Sequence, residues 1–235
     1  MTASRGKRCF LILLCLLSAL LFTALGIWQV ERRAWKLDLI ARVNARVAAP
    51  VQPAPARSAW AKINAHDDEY RHVRASGFLL NNRETLVEAL TERGAGFWIV
   101  TPMQTTNGTI LVNRGFVPTE RSAIAARPGG QLTGPVTVTG LLRITEPRGR
   151  VLRPNRPSEN RWYSRDVAAI ARARGLSNAA PFFIDADAKP NPGGYPIGGM
   201  TVVTFRNMHL IYALTWFALA ALSLAGLVLL FRRER

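Results

Sequence analysis

The sequence predicts a membrane protein in which two transmembrane α-helices, one near each end, flank a mainly antiparallel β (α+β) extramembrane domain. Two stretches carry no charged side chain, Cys9–Val30 with 22 residues and Asn207–Phe231 with 25 residues. A helix needs about 20 apolar residues to cross a bilayer, so both stretches are long enough. The 176 residues between them, Glu31–Arg206, suffice for one domain with its own core.

The average composition hides this division. The whole chain is 49% hydrophobic and has a mean hydropathy of +0.07, values that an ordinary soluble protein also shows. It contains 31 Lys and Arg against 15 Asp and Glu, for a formal net charge of +16. The composition excludes a disordered chain, a collagen-like chain and a disulfide-stapled mini-protein, and two spans exclude a multi-span transporter.

The two apolar stretches divide the chain into six segments. We predict a tail over residues 1–8, a first span over 9–30, a helical stalk over 31–48, a domain over 49–206, a second span over 207–231 and a tail over 232–235. A cleaved signal peptide is the rival interpretation of the first span, because Ala24-Leu25-Gly26 loosely resembles a cleavage site. Its apolar core is long for that interpretation, since signal peptides have about 7–15 apolar residues.

Orientation is not settled by charge, because basic residues flank both sides of both spans. A long loop translocates largely regardless of its charge, so a basic domain can be exported. We expect a bacterial inner-membrane protein with a periplasmic domain and two cytoplasmic tails. A nucleic-acid partner is then excluded by location, and membrane lipid is the expected surface for the basic side chains.

Between the spans, helical and β patterns follow one another. Trp35, Leu39, Val43 and Val47 recur every four residues, which predicts that the first helix continues as a stalk. One interpretation of this stripe is packing against the domain, and the other is a helix that faces a partner or the membrane surface. The prolines of residues 49–59 end the helix.

The domain is predicted to be mainly antiparallel. Asn107-Gly108, which favours a two-residue type I′ turn, separates strands at 97–101 and 109–112. Further strands are predicted at 71–80, 136–144, 182–185 and 200–205. One helix is predicted at Ser164–Arg174, with Ser164 as its cap and Gly175 as its terminator.

The domain sequence contains none of the standard catalytic patterns. It contains no cysteine, because Cys9 and Cys15 both lie in the first span, so thiol redox chemistry and copper binding by a cysteine pair are excluded. No phosphate loop, nucleophile elbow or zinc-protease motif occurs. His66 and His72 are a weak candidate for a metal site, and Asp185 with Asp187 indicates a turn closing a strand more than an acid pair.

Six arginines crowd one segment of the domain. They are mixed with prolines and with Trp162. Two interpretations stay open. One is a basic patch that binds anionic lipid headgroups or an acidic partner, and the other is a solvated loop. The arginines are Arg148, Arg150, Arg153, Arg156, Arg161 and Arg165.

His209, the third residue of the second apolar stretch, is the strongest candidate for a functional residue. Ionisable side chains at membrane depth are uncommon and are functional candidates by default, and a neutral imidazole offers a lone pair to a metal. Tyr212 and Trp216 follow it on one helix face, and Arg206 lies one turn outward, where it can pair with anionic groups. The alternative is an interfacial aromatic belt without a cofactor. Ala218, Ala221 and Ala225 form a small-residue stripe on which the first span can pack.

Four segments resemble a known family. They are LGIWQVERRAWKLDLI (25–40), ILVNRGFVP (110–118), PFFIDAD (181–187) and YPIGGMTVVTFRNMHLIYALTW (195–216). In this order, and with two spans, they closely resemble the Surfeit-locus (Surf/Shy) family of cytochrome c oxidase assembly factors. The arginine-rich segment departs from that resemblance, so no role is transferred to it.

The resemblance implies a non-enzymatic role in building the haem a-containing subunit I of the oxidase. It places a haem a ligand at His209, a second contact at Trp216, and haem a synthase and subunit I among the partners. The biochemical action stays open between haem carrier, chaperone and stabiliser of an intermediate. A haem-free scaffold is the main alternative, and a membrane-anchored sensor or hydrolase is disfavoured because no catalytic set is present.

Overall fold

The structure is a computed structural model that describes residues 5–232. The predicted tails, 1–8 and 232–235, fall outside it at residues 1–4 and 233–235, while residues 5–8 and Arg232 belong to helices. Helix α1 spans Arg5–Ala48 and helix α4 spans His209–Arg232. The chain divides into two compact units, a helical unit of residues up to 42 and from 204 onward, and a β unit of residues 43–203. Two apolar helices therefore flank a β-rich domain, as the sequence predicts.

Both terminal helices are long and apolar enough to cross a membrane. Only 11% of the apolar window of α1 and 6% of that of α4 is buried, so neither is the core helix of a soluble fold. Leucines at 13, 14, 16 and 17 are each 47–55% exposed. Such side chains are stable when hydrocarbon surrounds them, so the two helices fit a membrane protein.

In the helical unit, α1 and α4 pack against each other. The rings of Phe22 and Trp216 stack with centroids 5.7 Å apart and planes 22° apart. Gly26 permits a close approach, since a Cβ there would lie 2.6 Å from the Phe217 ring. The predicted stripe of Ala218, Ala221 and Ala225 is wrong as a packing face, because all three are exposed while Ala213 and Ala220 are buried. The buried pair is spaced seven residues apart and follows the line of contact with α1.

The β unit contains nine strands among the residues described. They are β1 (Gln52–Pro53), β2 (His72–Leu79), β3 (Thr85–Thr91), β4 (Gly94–Thr105), β5 (Gly108–Pro118), β6 (Pro135–Ile144), β7 (Gly149–Arg150), β8 (Arg153–Pro154) and β9 (Ala179–Ala186). Two short helices join them, α2 (Ala65–Asp68) and α3 (Val167–Ala173).

Seven of these strands form one sheet in the order β1-β2-β6-β9-β5-β4-β3, and β7 pairs with β8. A further pairing of β2 with β4 closes five strands (β2, β6, β9, β5 and β4) into a small barrel. Most neighbours are antiparallel, and β5 with β9 and β1 with β2 are parallel. Closure pairs the five ring strands on both sides, and β1 and β3 remain as the outer strands of the sheet.

The barrel interior and the α3 side of the sheet are separate apolar clusters. The interior cluster includes Val73, Met103, Val112, Leu142, Phe182 and Ile184. The second cluster includes Val100, Leu111, Phe183, Trp162 and Ile170. Neighbouring residues such as Phe182 and Phe183 belong to opposite clusters, because successive side chains of a strand alternate between faces. A sheet buried on both faces explains the nearly continuous apolar runs of β5 and β9.

The predicted hairpin is confirmed, but its turn lies one residue earlier than the sequence suggests. Thr105 pairs with Gly108, so the two connecting residues are Thr106 and Asn107. The left-handed conformation falls on Gly108, whose φ is 123°, instead of on both residues of the predicted Asn-Gly turn. Glycine adopts this φ without steric cost, so it serves at the first strand position as well as within a turn.

Three other local predictions need correction. The cap of α3 is Asp166, whose side chain accepts from the Ala169 N–H, and Ser164 instead donates to the Glu146 carbonyl. Strand β3 was not predicted. Residues 200–205 form no strand, although their exposure alternates. A side-chain pattern that favours a strand does not by itself supply a neighbouring strand to pair with.

Candidate functional site

His209 is the first residue of α4, and its ring is fixed by a residue of α1. Its Nδ1 lies 2.7 Å from Gln29 Oε1. Because the amide oxygen accepts, Nδ1 carries the hydrogen and Nε2 keeps its lone pair. Histidines that bind metals are generally held this way, with the second ring nitrogen donating to an oxygen that sets the tautomer and ring orientation.

An open cavity of ≈ 350 Å³ lies beside this imidazole. Its wall is formed by Arg206, Met208, His209 and Tyr212. Tyr212 is 53% exposed and the half-buried His209 also reaches the cavity surface. Three of the four predicted site residues, Arg206, His209 and Tyr212, thus surround one space.

Arg206 places a cation at the same cavity. Its Nε donates to Met208 Sδ at 3.0 Å, and the side chain is exposed. A thioether is a weak acceptor, so the guanidinium retains donors suited to a carboxylate. The cavity therefore combines an orientable imidazole nitrogen, an aromatic surface and a cation.

Trp216, the fourth predicted site residue, is not part of the cavity wall. It packs between helices through its stack on Phe22. The structure thus shows Trp216 in a helix-pairing contact, and its predicted contact with haem stays a prediction. Sequence reasoning missed Gln29, although the residue lies within the quoted segment 25–40, because polar residues near a membrane boundary are common and its partner is 180 residues away.

In the β unit, Asp185 is the centre of a buried polar network. Its carboxylate is 1% exposed and accepts from Asn113 Nδ2 at 2.7 Å, Arg143 Nη1 at 2.9 Å and Arg165 Nη1 at 2.9 Å. This contact set corrects the interpretation of Asp185 as part of a closing turn, because the residue lies within β9. Its neighbour on the same strand face, Asp187, accepts instead from His72 Nε2 at 2.8 Å.

Glu146 extends the Asp185 network through Arg165. Burial raises the pKa of Glu146, but hydrogen bonds and charge from Arg165 outweigh burial, so the pKa lies below its ordinary value of 4.5. Burial lowers the pKa of Arg165, and the Asp185 and Glu146 carboxylates more than offset it, so that pKa is raised. Both directions indicate a charged, mutually stabilised network.

Four arginines of the arginine-rich segment pair with carboxylates of the domain, and of these only Arg165 is mostly buried. Arg165 belongs to the Asp185 network, and Arg153 pairs with Glu88 at 2.9 Å. Arg156 and Arg161 both lie near Glu159. These contacts explain part of the segment as structure, and none of them tests the predicted contact with lipid headgroups.

The domain histidines have carboxylate partners of their own. His66 lies 2.7 Å from Asp67 on the surface, and His72 pairs with Asp187. Hydrogen bonds from His66 and Asn64 lower the pKa of Asp67. In residues 5–232 no group of three or more His, Cys, Asp or Glu side chains is arranged to hold a metal ion.

The fold and the site define a class of protein, namely a two-helix membrane protein with a small β-barrel domain and a histidine site at the start of its second helix. The sequence model of the SURF1 family matches residues 16–221, so the chain belongs to the SURF1 family.

Several relatives have similar sequences. Surfeit locus protein 1 of Homo sapiens is 40% identical over 215 residues, which cover 84% of this chain and 69% of the relative. Surfeit locus protein 1 of Gallus gallus is 35% identical and covers 94% of this chain and 75% of its own length. A SURF1-like protein of Monosiga brevicollis is 35% identical, and the match covers 89% of this chain and 83% of the relative.

Proposed function

We propose that the chain is a cytochrome c oxidase assembly factor that binds haem a through His209 and assists its insertion into subunit I. Family membership supports the pathway, since the resemblance of the four quoted segments implies oxidase assembly. The observation that carries the haem site is the His209–Gln29 contact, because a donating Nδ1 leaves the Nε2 lone pair available for ligation.

The residues around His209 fit a haem on chemical grounds. Haem iron, when bound, accepts an axial nitrogen ligand, and the porphyrin is an apolar plate with two carboxylates. Tyr212 offers aromatic surface and Arg206 offers a cation for a propionate, both beside the same cavity. Gln29 holds the imidazole in the required tautomer. Trp216 keeps the two helices together so that Gln29 and His209 face each other.

Transfer of haem to a second protein requires a site that also releases it. The cavity beside His209 is open and shallow, and one imidazole is a replaceable ligand. In this proposal haem a synthase supplies the haem and subunit I receives it. The chain itself makes and breaks no covalent bond, so the proposed role is not enzymatic.

The test compares histidine variants expressed together with haem a synthase. His209→Ala is expected to lose most of the haem a that co-purifies with the protein, as read from the absorption spectrum. His66→Ala is the matched control, because His66 is an exposed domain histidine whose ring bonds its neighbour Asp67. Haem a content that is equal in His209→Ala and His66→Ala would reject the ligand assignment.

A haem-free scaffold for subunit I is the second candidate, and the folded barrel domain favours it. It predicts that co-purification with subunit I survives His209→Ala and is lost when the domain is removed. The haem-transfer proposal predicts that His209→Ala retains subunit I but leaves it poor in haem a.

We further propose a bacterial inner-membrane location, with lipid around both spans, a periplasmic domain and cytoplasmic tails. A retained first span is supported by the Phe22–Trp216 stack, which cleavage after Ala24 would remove. The domain has no cysteine, so Ser158→Cys, on an exposed loop, gives a unique label site there. An impermeant maleimide should label it in cells with a permeabilised outer membrane. Labelling only after full lysis would show that the domain lies in the cytoplasm and would reject the proposed orientation.

A further inference from the structure

The mouth of the β-barrel contains a cavity of ≈ 410 Å³. It lies where β6 begins and β9 ends, with walls from Val136, Val138 and Ala186 and from the loop of residues 187–192. Cavities of this size at the mouth of a barrel are common places for small ligands. Most of the wall is apolar, which suits a hydrocarbon group.

Arg114 gives this apolar cavity a buried positive charge. The residue is 3% exposed and forms part of the cavity wall. Its Nη2 donates to the Gly130 carbonyl at 2.5 Å and to Asn191 Oδ1 at 3.1 Å, which are both uncharged acceptors. Its Nη1 is buried and has no hydrogen-bond partner.

No carboxylate of the described residues forms an ion pair with Arg114. Glu84 is the nearest acidic influence, but both of its oxygens already accept from Arg127, a residue 3% exposed. Burial lowers the pKa of Arg114 to about 10, far below that of a solvated arginine. A buried charge without a counter-charge is strongly unfavourable, so an anion that neutralised it would be held strongly.

The rim of the cavity adds charges of both signs. Lys189 is exposed on the rim, and Asp187, also on the rim, is occupied by its hydrogen bond to His72. With Arg114, the three charged side chains of the wall sum to one positive charge. Nearby, Gln131 has buried Nε2 and Oε1 atoms without partners, so polar capacity around Arg114 is incompletely used.

We propose that the barrel mouth is a binding site for a monocarboxylate with a short apolar chain. The carboxylate would pair with Arg114 and Lys189, and the chain would lie against Val136, Val138 and Ala186. The site lies wholly within the β unit and does not depend on haem binding at His209.

The test uses octanoate as the probe and the full-length protein in maltoside micelles. Saturation-transfer NMR should show octanoate binding to the protein that exceeds the micelle background, and octanol should bind at least tenfold more weakly. Acetate, which has the charge without the chain, should also bind at least tenfold more weakly. Octanol binding as tightly as octanoate, or no octanoate binding above background at millimolar concentration, would overturn the proposal.

Three variants examine the residues one at a time. Arg114→Gln should weaken octanoate binding at least tenfold, and Lys189→Gln, on the exposed rim, should weaken it several-fold. Val138→Phe keeps both cations but fills the cavity, so it should abolish binding of the chain. Lys62→Gln, a surface residue outside the cavity wall, should bind like the wild type. If Arg114→Gln does not fold, wild-type binding by both Lys189→Gln and Val138→Phe would still reject the site.

Discussion

Polar side chains serve different purposes in the two units of the molecule. In the β unit, buried charges occur in neutralised groups, such as Glu84 with Arg127 and Asp185 with two arginines. In the helical unit, the His209 ring bonds Gln29 at the edge of an open cavity whose wall also includes Arg206 and Tyr212. A satisfied buried network is explained by folding alone, whereas an oriented imidazole with a free nitrogen beside a cavity is not.

This contrast shows why burial and charge do not by themselves mark a functional site. Asp185 has more polar contacts than His209, yet each of its contacts satisfies a partner within the domain. By the same reasoning, Arg114 stands out in the β unit because one of its nitrogens remains unsatisfied. Substitutions at these positions therefore separate residues that stabilise the fold from residues that act on a ligand.

The largest effect is expected from Asp185→Ala, as a loss of free energy of unfolding. The change leaves Arg143 and Arg165, each with a side chain 14% exposed, without their shared acceptor. Breaking a buried ion pair on one side costs about 3–5 kcal/mol in free energy of unfolding. Chemical unfolding in detergent, followed by circular dichroism, measures this loss. Haem a bound per folded molecule should stay at the wild-type level.

Asp187→Ala is the control for Asp185→Ala. Its carboxylate is 37% exposed and pairs with His72, so its removal should cost less than about 1 kcal/mol. Equal losses for the two variants would contradict the assignment of Asp185 as the centre of the network.

Gln29→Leu should produce the second largest effect, a loss of haem affinity without a loss of folding stability. Loss of the acceptor frees the His209 ring and its tautomer, and such outer partners typically change metal affinity by about 10–100-fold. Spectral titration of the purified protein with haem measures the affinity. Gln29→Glu keeps an acceptor and should bind haem at least as tightly as the wild type.

Thr215→Val is the matched control for Gln29→Leu. The Thr215 hydroxyl donates to the Ile211 carbonyl within α4 and faces away from α1 with an exposed side chain. Its haem affinity should equal that of the wild type. A loss equal to that of Gln29→Leu would indicate general damage to the helices and not loss of a positioned ligand.

Sequence alone predicts the two spans, the β domain and the hairpin, because each depends on local patterns. Uncharged length predicts a span, and alternating or β-branched residues predict a strand. Residues 200–205 show the limit of this reasoning, since their alternation is real but no neighbouring strand pairs with them. The turn at Asn107 lies one residue, and the Asp166 cap two residues, from the predicted position, and propensity does not resolve such small differences.

The candidate site was predictable in part for the same reason. Arg206, His209 and Tyr212 are close in sequence, so no distant pairing is needed to bring them together. Helical geometry places Tyr212 about one turn beyond His209, and Arg206 lies three residues before the helix begins. Gln29 and Asp185 acquire their partners across 180 and 72 residues. Such pairings follow from helix packing and sheet topology, which a local pattern does not encode.

A smaller effect is expected from Trp216→Leu. The stack on Phe22 should contribute about 0.5–1.5 kcal/mol beyond the area it buries. Unfolding in detergent should show this loss, and haem affinity should fall less than in Gln29→Leu. A larger fall in haem affinity than in Gln29→Leu would place Trp216 in direct contact with haem. Trp28→Leu, on an exposed face of α1, is the control.

The smallest effect is a pH dependence confined to the β unit. The pKa of Glu146 lies below 4.5 in the folded chain because Arg165 favours its charged form. The unfolded chain therefore binds more protons than the folded one near this pH, so the Glu146 contribution is present above pH 4.5 and is lost as pH falls through the lowered pKa. The side chain is 36% exposed and Arg165 keeps Asp185, so solvent screening makes the loss modest. Glu146→Gln should flatten the fall in unfolding free energy below pH 4.5, and an unchanged slope would mean that other carboxylates cause it.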